Sequence, residues 1–272
     1  MSGACGDGLA GGYAALVDLI DYVNDFLGAS LARGKGDPGL SARCGQLRLD
    51  HDRVEAVVGP FLLGSVPRAL RSAGPVPAPK HWLRQTVVAT PLGRSLPPQS
   101  LIRLQATEEA AVAMDRLYRL LHMLNHLACA LPEESLWVDI SLRHLLALEH
   151  GHGTFFEEII RACGLGPERL VLVVTPEPAS TADERRISEA CQNYRARGFA
   201  LALNLALCGE PAGEHWRSSL VPDWVGLPAE RVARLRAALG EQRVVAWGRH
   251  DVALRAGDRY EAVCSAVPRF AA

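Results

Sequence analysis

The sequence predicts an α/β barrel preceded by an N-terminal helical extension. From about residue 46 onward, eight short β-rich segments alternate with longer helical segments, which favours a barrel over a β-sandwich. Two of these segments, RLVLVV (169–174) and FALALNL (199–205), are almost continuously apolar. Such runs are expected of parallel strands that are buried on both faces.

The N-terminal region is predicted to form a separate segment, residues 1–48, ahead of a barrel domain at residues 49–272. The first dozen residues are rich in glycine and are expected to be loose; GDGLAG matches G-x-G-x-x-G, but no strand precedes it, as a dinucleotide site requires. Apolar residues at helical spacing then predict an amphipathic helix over 13–33; they are Leu16, Leu19, Ile20, Val23, Phe26 and Leu27. GKGDPG (34–39) is predicted to end this helix as a linker.

The alternating region from about residue 46 onward is predicted to contain eight strands and four helices. The predicted strands are 54–59, 84–90, 135–140, 169–174, 199–205, 224–227, 243–247 and 260–265. The predicted helices between them are 108–131, 153–165, 181–198 and 228–240. Because barrels of this kind carry their sites at the C-terminal ends of the strands, the segments to inspect are 139–141, 175–177, 204–209, 226–228 and 247–250.

Composition argues against two classes of partner. Lys plus Arg number 29 and Asp plus Glu number 30, so the net charge is -1. A balanced charge provides no net positive charge that would attract a nucleic acid or an anionic membrane surface. No apolar run approaches the roughly 20 residues that a spanning helix needs, so neither a nucleic-acid nor a membrane partner is expected.

The cysteines and the N-terminus predict a cytoplasmic location. Seven cysteines are scattered through apolar segments and none forms a CxxC pair. This distribution indicates reduced, buried thiols. The sequence MSGACGDGLAGG lacks the charged start and apolar run of a signal peptide.

The strand-end motifs, taken in order over residues 50–270, resemble the EAL-domain family, whose active members are cyclic di-GMP phosphodiesterases on a modified TIM-type (β/α) barrel. The segments that carry the resemblance are VVGPFL, GRSLPPQSLI, WVDISLRHL, LGPERLVLVVTPE, GFALALNLALCG, LVPDWVGLP, VVAWGRH and GDRYEAVCSAVPRF. Residues that match the family pattern are Pro60, Gly93, Pro98, Ile102, Ser141, Leu145, Thr175, Gly198, Gly209 and Pro268.

The residues that the family uses for catalysis are replaced under the same resemblance. The glutamate of the EAL triplet falls on Thr86 or Val87, and the arginine after it falls on Thr90. The paired aspartates of GFALALNLALCG fall on Asn204 and Leu205. The other replaced pocket positions are Asp139, Val173, Pro176, Gly226, Pro228, Trp247, His250 and Glu261.

These replacements predict an EAL-like protein with no catalytic residues, no metal site and no cofactor. Cleavage with two metals needs carboxylates that hold two cations about 3.5–4 Å apart. The sequence therefore predicts a regulator that acts through protein contacts in bacterial signalling or gene regulation. A metal-independent receptor for cyclic di-GMP is the alternative, although no such binding is expected because so little of the pocket is kept. An enzyme of another kind has no supporting residue cluster, but the fold alone does not exclude it.

The resemblance also implies a homodimer formed through the segment after the double-aspartate strand, 206–224, which carries Trp216 and Trp224. The apolar stripe of the N-terminal helix is expected to be buried on the chain's own barrel, with a second copy or a partner as alternatives. The partner itself is not identified by the sequence.

Several residue groups have both a functional and a structural interpretation. His144, Glu149, His150 and His152 have a zinc-like pattern, but solvated histidines near a helix end are the preferred interpretation. His122 and His126 lie four apart without the glutamate of HExxH, which favours packed or capping histidines. Trp224 and Trp247 are expected to fill the core, and the arginines of 185–197 to be a solvated helix face.

Overall fold

The structure is a computed structural model of the 272-residue chain. It describes residues 7–33, 45–51, 53–70, 81–128, 134–148, 151–177, 181–206, 208–227, 231 and 243–246. The described residues fall into two compact units, the first formed by residues up to 66 and 86–128, the second by 67–85 and 134–246.

The first unit combines an antiparallel sheet with helices. Its elements are α1 (Asp7–Arg33), β1 (Gln46–Asp50), β2 (Arg53–Val58), most of β3 (Phe61–Leu70), the end of β4 (His81–Ala89), β5 (Ser95–Leu96), α2 (Pro98–Arg103) and α3 (Glu108–Leu127). The helix α3 begins where the Thr107 hydroxyl accepts the Ala110 amide at 3.2 Å, and two glutamates in its first turn complement the helix dipole.

Helix α1 packs on β1 and α3 within this unit. Its residues Leu16, Ile20, Val23 and Leu27 are all buried. The apolar stripe is thus covered by the chain itself, as the sequence indicated. The helix begins at Asp7, so the expectation that the first dozen residues are loose is wrong for residues 7–12.

The second unit is built on parallel strands. The start of β4 pairs with β6 (Ser135–Ile140), followed in order by β7 (Leu170–Val174), β8 (Ala200–Asn204), β9 (Trp224–Leu227) and β10 (Arg243–Ala246), all parallel. The connecting helices are α4 (Leu142–Ala147), α5 (Thr154–Ala162), α6 (Thr181–Ala196) and α7 (Glu210–Leu220), and a 3₁₀ turn, Pro167–Arg169, leads into β7. All five residues of β7 are buried, as its apolar, β-branched sequence predicts.

The predicted α/β fold class with parallel strands is confirmed. Strands β6 and β9 have the predicted bounds, while β1 and β3 were not predicted. The predicted strand 260–265, the linker 34–39 and nearly all of the predicted helix 228–240 lie outside the described residues. The domain boundary at residue 48 stays a prediction. None of the described helices combines the length and the hydropathy that a membrane crossing requires.

Candidate functional site

The strand ends that the sequence singled out meet at one edge of the second unit. Asp139 of β6 is in register with Val173 of β7, and Asn204 of β8 is in register with Gly226 of β9. Because the strands are parallel, their carboxyl ends share that edge. The structure therefore brings together four of the predicted pocket positions; Trp247 and Glu261 lie outside the described residues.

The described strand ends carry few carboxylates. Asp139 and Glu177 are exposed at the ends of β6 and β7. Ser141, directly after β6, accepts the His144 amide at 3.1 Å and acts as the N-cap of α4. Its hydroxyl thus has a structural role of the kind N-cap serines usually have.

The carboxamide of Asn204 is engaged on both sides by the protein. Its Nδ2 donates to the Thr175 hydroxyl at 3.2 Å, and its Oδ1 accepts the Ala206 amide at 3.1 Å. The second contact is a short side-chain to backbone turn of the kind Asn favours after a strand. Asn204 therefore shapes the end of β8.

The turn after β8 is fixed by several hydrogen bonds. The Leu205 amide donates to the Gly226 carbonyl at 2.8 Å. Arg231 donates through Nη1 to the Leu205 carbonyl at 3.2 Å and to the Cys208 carbonyl at 2.7 Å. Leu205 itself is buried and faces α7, where a Cβ on Gly213 would lie 3.3 Å from its Cδ1. Pro176 is also buried, and the Cys208 thiol approaches its carbonyl at 4.0 Å.

Val173 is fully buried in an apolar cluster on the face of the sheet that also carries Asp139. Its neighbours in the cluster are Leu83, Trp137, Val171, Ala202 and Trp224. Three rings reinforce this cluster: the centroids of His81 and Trp224 are 4.7 Å apart, those of Trp137 and Trp224 5.3 Å, and those of His81 and Trp137 5.5 Å. All three pairs are edge-on, the favoured geometry for aromatic rings. The expectation that Trp224 fills the core is confirmed.

Thr86 lies in the first unit and belongs to a different environment. Its hydroxyl is 3.0 Å from Nε2 of His122 on α3, whose Nδ1 is 2.8 Å from the Ser65 hydroxyl. Side chains two apart on a strand share a face, so Val87, not Thr86, shares the face of Leu83. His122 and His126 are buried, as the preferred interpretation of packed histidines predicted.

The interpretation of His144 and His152 as solvated histidines is wrong. Both are buried; Nε2 of His144 lies 3.4 Å from the Tyr194 hydroxyl, and Nε2 of His152 lies 2.9 Å from the Leu145 carbonyl. Packing of α4 against α6 covers them, which the local sequence did not indicate.

Two residues near the site were not found from the sequence. His81 lies three residues before the predicted start of its strand, so it was not counted as a core position. Arg231 falls in a predicted helix with several arginines, and nothing local marks it as the one that bonds the turn after β8.

Both tryptophans of the segment 206–224 are buried within the chain. Trp216 is 4% exposed and Trp224 is 6% exposed. Exposed residues of α7 include Glu214 and His215. The homodimer stays a prediction, but these two rings do not supply an apolar surface for it.

The described residues at the strand ends do not fit a pair of divalent cations. Such cations need several oxygen ligands each. Val173 and Gly226 offer no side-chain ligand, and the Asn204 amide already bonds the protein. Among the described residues, no three His, Cys, Asp or Glu side chains are grouped as a metal-binding set.

The described cysteines Cys163, Cys191 and Cys208 are free thiols. Burial raises the pKa of Cys163 to about 11 and that of Cys191 to about 12. Because the thiolate is the reactive form, neither side chain is suited to act as a nucleophile at neutral pH.

No family model matches the sequence, and no curated protein matches it. Several solved structures are similar to the chain, including the three that follow. BlrP1 from Klebsiella pneumoniae, a complex with calcium and cyclic di-GMP, has a TM-score of 0.51 at 14% identity over 78% of this chain and 59% of that chain. The EAL domain of FimX from Pseudomonas aeruginosa, bound to cyclic di-GMP, has a TM-score of 0.51 at 14% identity over 68% of this chain and 88% of that chain.

The third is YkuI from Bacillus subtilis, an EAL-domain protein in complex with its substrate cyclic di-GMP and calcium, with a TM-score of 0.48 at 17% identity over 65% of this chain and 44% of that chain. The chain thus spans less than two thirds of YkuI and BlrP1. The likeness to BlrP1 and FimX shows the fold: the chain has the modified TIM-type barrel fold of EAL domains.

Proposed function

We propose that the chain is an EAL-like regulatory protein without phosphodiesterase activity, which acts through protein contacts in bacterial signalling or gene regulation. What carries the proposal is the set of residues at the strand ends. Val173 is fully buried among aromatic and aliphatic side chains, and the Asn204 amide bonds Thr175 and Ala206. Metal-assisted cleavage of a phosphodiester needs carboxylates at such positions.

The direct test is hydrolysis of cyclic di-GMP by the full chain with Mg²⁺ or Mn²⁺. We expect no linear dinucleotide product above the background of a heat-denatured sample. A Leu205→Asp variant should be equally inactive, because one restored acid does not hold two cations. Product that scales with protein concentration and disappears with a chelator would contradict the proposal.

A genetic test separates regulation from catalysis in the same protein. In a strain that lacks the gene, Asp139→Ala should complement as well as the wild type, because the proposal gives this exposed carboxylate no catalytic part. Failure of a folded, normally expressed Asp139→Ala protein would instead indicate chemistry at the end of β6. Asp139→Asn, which keeps size and polarity, serves as the matched control.

A metal-independent receptor for cyclic di-GMP is the second candidate, because BlrP1 and FimX, which share the fold, hold this nucleotide. Against it, the arginine position after the triplet is Thr90, whose hydroxyl accepts the Arg94 amide at 3.0 Å within its own turn. Calorimetric titration with cyclic di-GMP, with and without Mn²⁺, distinguishes the two. We expect no heat of binding in either condition; saturable binding without metal would favour the receptor.

A further inference from the structure

The outer edge of β1 is bonded by a side chain of α1. Among the described strands β1 pairs only with β2. The carboxamide of Asn24 donates through Nδ2 to the Leu47 carbonyl at 2.8 Å and accepts the Leu47 amide through Oδ1 at 3.0 Å. A single side chain thus bonds both backbone groups of one strand residue, as a neighbouring strand would.

The register explains why Leu47 is the residue that is bonded. Leu47 lies opposite Ala56 and Leu49 lies opposite Val54. In an antiparallel pair, alternate residues direct their backbone groups away from the partner strand. Since Leu47 bonds Asn24, the outward-directed residues of β1 are Leu47 and Leu49.

A second asparagine in the first unit bonds both backbone groups of a strand residue in the same way. Val54 directs its backbone groups towards the other side of β2, where the pairing with β3 covers only Ala56 to Val58. There Asn125 of α3 accepts the Val54 amide at 3.2 Å and donates to the Val54 carbonyl at 2.7 Å. Each asparagine therefore bonds a strand residue that no described strand pairs with on that side.

We propose that α1 shields the outer edge of β1, and that this edge pairs with β1 from a second copy of this chain once α1 is detached. Unpaired edges are the surfaces through which sheets associate. If β1 of a second copy pairs antiparallel with this strand about Arg48, Leu47 of each copy lies opposite Leu49 of the other. The outward-directed backbone groups of both strands are then all hydrogen-bonded. Arg48 is paired with Glu55 at 3.2 Å, so its charge is compensated there. This inference is independent of the proposed function.

The test uses full-length variants and light scattering over a concentration series. Val23 is fully buried in the α1 stripe, so Val23→Asp should detach the helix. We expect the mass to rise to twice the wild-type value with increasing concentration. The matched control is Asp25→Asn, on the exposed side of the same helix, which should keep the wild-type mass.

Two further variants identify β1 as the surface. Leu49→Pro removes an outward amide, which an edge strand tolerates, so Val23→Asp with Leu49→Pro should return to the wild-type mass. Association that persists in this double variant, or a Val23→Asp protein of wild-type mass with a detached helix, overturns the proposal. Should Val23→Asp fail to fold, Asn24→Ala decides: hydrogen exchange of the Leu47 amide must accelerate at least about tenfold, the change expected for losing a bond worth about 1.4 kcal/mol. Unchanged exchange also overturns the proposal.

Discussion

Val173 is a strand residue whose side chain lies in the apolar cluster of the second unit. The resemblance assigns an acid to this position, and the structure buries the valine completely. We predict that Val173→Glu destabilises the fold by about 3–5 kcal/mol, because it places an unpaired carboxylate in an apolar cluster. Urea unfolding measures this, with Val173→Ala as the size control. A stable variant that binds Mn²⁺ would show that the cluster can open into a cation site.

Asn125 allows a second prediction, since it bonds both backbone groups of Val54 and also donates to the Leu121 carbonyl at 2.9 Å. Asn125→Ala leaves two buried backbone groups without these bonds, so we expect a loss of about 2–4 kcal/mol in the free energy of unfolding. The exposed Asn193 on α6 provides the control, and Asn193→Ala should change stability by less than about 0.5 kcal/mol. Equal effects of the two substitutions would contradict this account.

For individual residues, the sequence predicted the ends of the strands, but it did not predict which face of a strand or helix each side chain occupies. The strand-end positions Asp139, Asn204 and Gly226 could be located because β6, β8 and β9 have strong apolar patterns. Thr86 and Val87 could not be separated, because a shift of one residue moves a side chain to the other face of a strand. The burial of His152 depends on helix packing that no local pattern encodes.

Among the elements, α5 and the end of α6 are joined through one carboxylate. Glu157 of α5 accepts Arg161 at 3.0 Å and Arg197 at 2.8 Å. The hydrogen bond from Arg197, together with Arg161, lowers the pKa of Glu157. A lowered folded-state pKa means that this carboxylate stabilises the fold above its unfolded pKa of about 4.3, and that the contribution is lost as the pH falls further.

We therefore predict that Glu157→Gln makes the fall in stability below about pH 4.5 shallower, because the ionisable group responsible is removed. Urea unfolding at a series of pH values measures the slope. Glu158, its exposed neighbour, is the control, and Glu158→Gln should retain the wild-type slope. Parallel curves for wild type and Glu157→Gln would show that this ion pair contributes nothing.

Element prediction succeeded where composition and periodicity agreed. Strand β6 follows from its apolar, β-rich sequence SLWVDI, and most of α3 follows from apolar residues at helical spacing. Strand β3 was missed because Gly64 and Pro67 interrupt it, and both residues normally mark breaks. The first turns of α1 were missed because glycines at positions 8, 11 and 12 suggest a loose segment.

For the whole molecule, the absence of a metal-binding set among the residues that the structure describes predicts no thermal stabilisation by cations. A folded-state site with a dissociation constant of about 10 µM would add about 2.7 kcal/mol at about 1 mM Mn²⁺. That would raise the melting temperature by several degrees in a chain of this size, at about 2–4 °C per kcal/mol. We expect identical melting curves with Mn²⁺, Mg²⁺ or EDTA. A rise that EDTA reverses would require a site that includes residues beyond those described.

The uneven placement of tryptophan has an experimental consequence for the division into two units. The four described tryptophans, Trp82, Trp137, Trp216 and Trp224, all belong to the second unit, whereas Tyr22 and Tyr118 lie in the first. Emission excited at the red edge of indole absorption therefore follows the parallel sheet, while far-ultraviolet dichroism follows both units. The edge-on rings of Trp137 and Trp224, 5.3 Å apart, should also give a near-ultraviolet dichroic couplet. The loss of this couplet during denaturation reports when the parallel sheet opens, without any added label.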